Sequence, residues 1–209
     1  MTTREAEERR IELQRRPLGS HVAEQLEVSC GDTAGTRIIL GRKTDDGQWR
    51  AAYYLDYLIL GNRLIVVGDC GSAVYEWSEK IDLAFLAGCA LDYFASKCSA
   101  SQTGSGGRSW DFHYAEAALV EAFTERRAAG EPEPSPAAVA DALRAAGSAA
   151  EWSRWLGDEG YDVFGEDYCD YARIGEVEAP TTIIHWLGLQ LAHEQLGSDN
   201  RKSEIANRK

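Results

Sequence analysis

The chain has 209 residues, 44% of them hydrophobic, including six Trp, nine Tyr and five Phe. That is room for one domain, or two small ones, around a real core, and it excludes an intrinsically disordered protein. Thirty-four Asp and Glu face twenty-two Lys and Arg, a net charge of −12, so the chain lacks the basic surface that displaces counterions from DNA or RNA. No apolar run approaches 18 residues, so no membrane-spanning helix is expected. Met1–Arg16 is dense in Glu and Arg and has no apolar stretch, so no secretory leader is read there and a cytoplasmic protein is expected. The cysteines, Cys30, Cys70, Cys89, Cys98 and Cys169, are odd in number and form no C-x-x-C pair. They read as buried, reduced thiols rather than a disulfide framework. No short-spaced Cys/His pair starts a zinc site, and neither a metal nor a cofactor is expected.

In chain order, Met1–Arg16 reads as a charged helix ended by Pro17 and Gly19. Extended stretches follow at Gln25–Cys30, Thr36–Leu40 and Trp49–Leu60. Gly61-Asn62 between Leu60 and Arg63 signals a hairpin, because tight hairpin turns need positive φ. Its second strand runs to Val67, Gly68-Asp69 breaks it, and Ser72–Trp77 resumes with Tyr75 and Trp77 on one face. Asp82–Cys98 has apolar residues at helical spacing, with Ser78 or Asp82 as N-cap. Residues 99–109 read as a flexible hinge. Helices are expected at His113–Ala128, at Ala137–Ala146 behind Pro136, at Ala149–Leu156 and at Thr181–Leu196. The basic end, Asn200–Lys209, reads as a disordered tail. The fold class is α+β: an N-terminal antiparallel sheet of four or five strands packed by helices, then a helical C-terminal half. One compact unit is expected, with residues 17–98 and 110–197 as its natural subdivision.

The acidity is uneven. From Asp111 to Pro180 sixteen Asp and Glu stand against five Arg and no Lys. The densest part, Asp158–Glu178, holds Asp158, Glu159, Asp162, Glu166, Asp167, Asp170, Glu176 and Glu178 against Arg173 alone, interleaved with Tyr161, Phe164, Tyr168 and Tyr171. Aromatic anchors among carboxylates suit an interface aimed at a basic groove. Asp158, Glu159, Tyr161, Asp162, Glu166, Asp167, Asp170 and Tyr171 are the candidate partner-binding residues. The competing reading is a solvated acidic loop whose rings pack on the core. Carboxylates also suit Mg²⁺ or Ca²⁺, but Asp158-Glu-Gly-Tyr-Asp162 does not match a calcium loop.

Gly104-Ser-Gly-Gly-Arg-Ser109 lacks the G-K-[ST] ending of a phosphate loop and reads as a flexible turn. His21, His113, His185 and His193 are scattered. His185 and His193 lie two helical turns apart, too far for one metal ion, and His185 reads as a structural residue between Ile184 and Trp186.

The run Gly61-Asn-Arg-Leu-Ile-Val-Val-Gly-Asp-Cys-Gly-Ser-Ala-Val-Tyr-Glu-Trp77 resembles proteins carried by bacteriophages and other mobile elements. The likeness covers about residues 50 to 98. It implies an inhibitor that acts in the bacterial host cell on a defence complex, of the anti-CRISPR kind, and no catalytic residue. Joined to the acidic half, it leads to an expected function: occupying a basic nucleic-acid-binding surface of a protein or nucleoprotein, with no direct nucleic-acid or membrane contact. Two other readings stand beside it. One is an enzyme drawing on Asp69, Cys70, Arg108 or His113; the other is an assembly protein that self-associates through its apolar helices. A homodimer fits any of the three.

Overall fold

The computed structural model describes residues 2–30, 33–50, 52–102 and 107–207, and the side chains of all of these except 30 and 199–207. Among them are α1 (Thr3–Arg15), β1 (Val22–Cys30), β2 (Thr33–Gly41), β3 (Leu55–Leu60), β4 (Arg63–Gly68), β5 (Ala73–Glu76), α2 (Leu83–Gly88), α3 (Leu91–Ser96) and β6 (Cys98–Ser101). Then follow β7 (Arg108–Trp110), α4 (Phe112–Ala128), α5 (Pro136–Ala145), α6 (Ala149–Phe164), a 3₁₀ segment at Gly165–Arg173, β8 (Glu176–Glu178) and α7 (Pro180–Asn207). The fold is α+β, as expected. The sheet has six strands where four or five were expected, in the order β1-β2-β3-β4-β5-β6 and antiparallel throughout. The sixth is β6, which starts at Cys98 and runs into the stretch read as a hinge; residues 103–106 of that stretch are outside the described residues. The chain divides into two compact units: Glu12–Arg108 with Glu178–Lys209, and Met1–Ile11 with Ser109–Val177.

In the sheet unit β3, β4 and β5 alternate between a buried and a more exposed face, with Leu55, Tyr57 and Ile59 buried while Asp56, Leu58 and Leu60 are not. The register sets Ile38, Tyr57, Val66 and Ala73 side by side, and Ile59, Leu64 and Tyr75 in the next row. On the opposite face Arg37 forks onto Asp56 at 2.9 and 2.6 Å. The β3–β4 turn has Gly61 at φ +60°, while Asn62 does not carry positive φ, the pattern of a type II′ hairpin. Strand β3 starts only at Leu55, because Tyr53 adopts φ +60° and gives its N–H to the Asp69 carboxylate.

Helix α7 crosses the buried face. Thr182 to His185 and Leu187 to Leu189 are buried on every side, so the first turns of α7 are central rather than an amphipathic surface helix. At Gly188 a Cβ would lie 2.0 Å from the Tyr57 hydroxyl, so only glycine admits this approach. The Tyr57 hydroxyl donates to the carbonyl of His185 at 3.0 Å. The helix expected over Asp82–Cys98 is two short ones, α2 capped by Asp82 and α3. They break at Cys89-Ala90, where the Trp186 indole N–H takes the Cys89 carbonyl at 2.8 Å in place of a helical bond. The tail expected from Asn200 continues α7 to Asn207.

The acidic unit has its own core: Ala115, Leu119, Ala142, Ala146, Trp152, Leu156, Val163 and Phe164. Helix α6 runs eight residues beyond the expected end at Leu156, since Trp152, Leu156, Gly160 and Val163 continue one buried stripe. Ser135 and Ser148 cap α5 and α6 through their hydroxyls.

Candidate functional site

The candidate partner-binding residues fall on α6 and the 3₁₀ segment, all within the acidic unit. Asp158, Glu159, Tyr161 and Asp162 are exposed on the last two turns of α6, with Tyr161 61% accessible. Glu166, Asp167 and Asp170 are exposed along Gly165–Arg173. Tyr171 differs from these: it is half-buried and stacked on Phe164, with ring centroids 4.1 Å apart. The set therefore comprises six exposed carboxylates, one exposed ring and one ring packed onto the core.

Three contacts fix this surface. The Trp152 indole N–H donates to the Tyr171 carbonyl at 2.8 Å. Arg126, with a side chain only 15% exposed, donates to the Phe164 carbonyl at 3.0 Å and pairs with Glu131 at 2.7 Å. Tyr161 meets Tyr168 edge to face at 6.3 Å, tying α6 to the segment after it. Tyr168 needs Gly160 beneath it, since a Cβ there would lie 3.2 Å from its ring and 2.7 Å from Leu156. The cation between Asp158 and Glu178, Arg173, is paired with Glu176, so it does not offset the carboxylates on α6.

The carboxylates do not share one direction. Glu151, Trp155 and Glu159 succeed one another at intervals of four on α6, and together with Asp141, Arg144 and Ala138 of α5 they line a groove of about 560 Å³. Asp158, Tyr161 and Asp162 lie outside that lining. A second groove, of about 430 Å³, is lined by Val120 and Phe123 of α4 and by Pro134, Pro136 and Val139. Neither groove declares itself in the sequence, because each needs the turn between two helices to bring its walls together. The spacing Glu151-Trp155-Glu159 is the local signal that was there to read.

The enzyme candidates are arranged differently. Asp69 and Cys70 share the β4–β5 turn, the Cys70 thiol donating to Asp69 at 3.8 Å. Burial and the neighbouring carboxylate push the Cys70 thiol up to about 12, which withholds the thiolate a nucleophile needs. Arg108 is half-buried at the start of β7, and His113 is exposed on α4 in the other unit. None of these four residues lines either groove. His185 is buried with its Nδ1 at 2.9 Å from the Tyr75 hydroxyl, and burial lowers its pKa to about 4, so it is neutral at pH 7. His21 is buried too, donating through Nε2 to the Tyr53 carbonyl at 3.0 Å. His193 is exposed.

Cys70, Cys89, Cys98 and Cys169 are free thiols. Cys70 and Cys89 are buried as expected, Cys98 is half-buried, and Cys169 is exposed among the acidic residues, a correction to its expected burial. The thiol of Cys30 and residues 104–106 of the glycine-rich turn lie outside the described residues. Among the described residues no three His, Cys, Asp or Glu side chains are grouped to hold a metal ion, and no helix is long and apolar enough to cross a membrane. No protein-family model matches the chain, and neither the curated proteins nor the solved structures return a match to it.

Proposed function

We propose that this protein is a small acidic inhibitor of the phage type. It binds, through α6 and the 3₁₀ segment after it, to a basic nucleic-acid-binding surface of a bacterial defence complex, and it competes there with DNA or RNA. The observation that carries this reading is the exposure of Asp158, Glu159, Asp162, Glu166, Asp167 and Asp170 on a short stretch whose one cation is paired elsewhere. The backbone of this stretch is tied to Trp152 and Arg126. Such anchoring lowers the ordering cost of binding. Exposed carboxylates steer a basic partner and compete with phosphates for the same Lys and Arg. The raised Cys70 thiol weighs against a cysteine-based enzyme.

The test is capture of partners from a bacterial lysate on the tagged protein, with washes at low and high salt. The reading requires a nucleic-acid-handling complex that is retained at low salt, released at high salt, and unable to bind its nucleic acid while the inhibitor is present. A captured complex that still binds DNA or RNA at full affinity would contradict it.

A further inference from the structure

The groove between α5 and α6 combines three properties that an acidic surface alone does not. It is concave, about 560 Å³ in volume, which is the size of a site for a peptide side chain with its neighbours. Its lining includes the apolar Ala138, Ala145, Trp155 and Val163. Asp141, Glu151 and Glu159 line it as well, with Arg144 as the cation among them.

The three carboxylates are not equivalent. Asp141 is paired with Arg144 at 2.8 Å, so the two charges largely cancel. Glu151 accepts a bond from the Ser148 hydroxyl at 3.2 Å and stands in the first turn of α6, where the helix's positive end offsets it. Glu159 lies two turns further on, beyond the reach of either effect. The Trp155 indole is one helical turn before Glu159, stacked on Trp152 at 5.1 Å and against Phe164 at 6.2 Å. Those two contacts hold the ring in place before anything binds.

We propose that this groove receives an arginine side chain from a basic segment of the partner. The guanidinium lies against Trp155 and pairs with Glu159, and its aliphatic stem rests on Ala138, Ala145 and Val163. Arginine suits the site better than lysine: its planar, weakly hydrated head stacks on an indole while forking onto a carboxylate, and its stem covers apolar surface. This rests on the proposed acidic inhibitor and adds an anchor residue to it. The open α6 surface supplies long-range attraction, and the groove supplies the specific contact.

The experiment is a titration of the ¹⁵N-labelled full chain with a capped, arginine-rich pentapeptide at low salt. The Trp155 indole resonance is identified by its absence in Trp155→Phe. The proposal requires that this resonance shift saturably. Glu159→Gln must weaken binding about fivefold, while Glu79→Gln, at an exposed carboxylate of the sheet unit, leaves it within about twofold. A lysine pentapeptide of equal charge must bind more weakly than the arginine one. Saturable shifts confined to Asp162, Asp167 and Asp170, with the Trp155 resonance unmoved, would overturn the groove and leave the acidic-surface reading standing. No saturable shift anywhere on α6 or the segment after it would overturn both. Equal binding of the two peptides with no loss in Glu159→Gln would overturn the arginine assignment.

Discussion

The indole N–H of Trp152 donates to the backbone carbonyl of Tyr171 at 2.8 Å, joining the fully buried stripe of α6 to a segment whose carboxylates face water. Local sequence distance hides this bond, since it spans 19 residues. It explains how a run of Glu166, Asp167 and Asp170, which repel one another, is held in one conformation. Trp152→Phe keeps most of the packing and removes the donor. It is expected to lower stability by about 1–3 kcal/mol, the cost of leaving a carbonyl unpaired. Hydrogen exchange should then quicken at residues 165–173 ahead of the rest of the unit. Unchanged exchange there would mean that the Phe164–Tyr171 stack alone holds the segment.

A second prediction concerns α7. Because a Cβ at Gly188 would meet the Tyr57 hydroxyl at 2.0 Å and Leu40 and Leu55 at 3.0 and 3.1 Å, Gly188→Ala should cost about 1–3 kcal/mol despite alanine's better helix propensity. Most of that cost should disappear when Gly188→Ala is made in a Tyr57→Phe background, where the blocking oxygen is gone. A denaturant-melt double-mutant cycle measures the coupling. Additive effects would mean that the helix shifts bodily and that the close approach is not fixed.

The buried His185 sets a pH dependence. The folded protein keeps this imidazole neutral down to about pH 4, through burial, whereas in the unfolded chain it protonates near pH 6.5. Between those values the unfolded state binds more protons, so stability is full above about pH 6.5 and falls as the pH drops toward 4. The loss reaches about 3 kcal/mol. His21, also lowered by burial, acts in the same direction. The measurement is the unfolding midpoint of wild type and His185→Phe from pH 7.5 to pH 4.5. The variant should be less stable at pH 7.5, having lost the Tyr75 contact, and shallower in its decline. Parallel slopes would show that His185 does not titrate with folding.

Thiol chemistry separates the inhibitor reading from an enzyme at the β4–β5 turn. Cys169 is exposed, while Cys70 is buried with its thiol pushed up to about 12. Brief treatment with iodoacetamide at pH 7.5 should alkylate Cys169 and leave Cys70 unmodified until the protein is unfolded. Peptide mass spectrometry reads both sites. Fast modification of Cys70 in the folded state would mark it as an activated nucleophile and reopen the enzyme.

The sheet was legible where one face is buried and the other is not. Tyr57 to Leu60, Arg63 to Val67 and Ala73 to Trp77 alternate cleanly, and Gly61 announces the turn between the first two. The start of β3 was not legible, because it depends on the positive φ of Tyr53 and its bond to Asp69, which lies 16 residues away. Nor was the break between α2 and α3, since the group that competes for the Cys89 carbonyl is an indole on α7. Helix α6 looked shorter than it is because Gly157 and Gly160 weaken helix propensity, and Gly160 serves the packing of Tyr168 instead. The concentration of carboxylates from Asp158 onward could be counted directly. Which of them share the α5–α6 groove could not, because α5 supplies its other wall.

The central claim is tested most directly by the salt dependence of partner binding, measured for the wild type and for a variant carrying Asp158→Asn, Asp162→Asn, Asp167→Asn and Asp170→Asn. These four side chains are exposed, so the variant should fold with unchanged circular dichroism. With a captured, purified partner complex, wild-type affinity should fall steeply between about 50 and 300 mM salt, as charges separated by more than about 8 Å become screened. The variant should start weaker, about tenfold or more at low salt, and show a flatter salt slope. Equal affinity of the two proteins, or a wild-type affinity indifferent to salt, would contradict an inhibitor that acts through its acidic face.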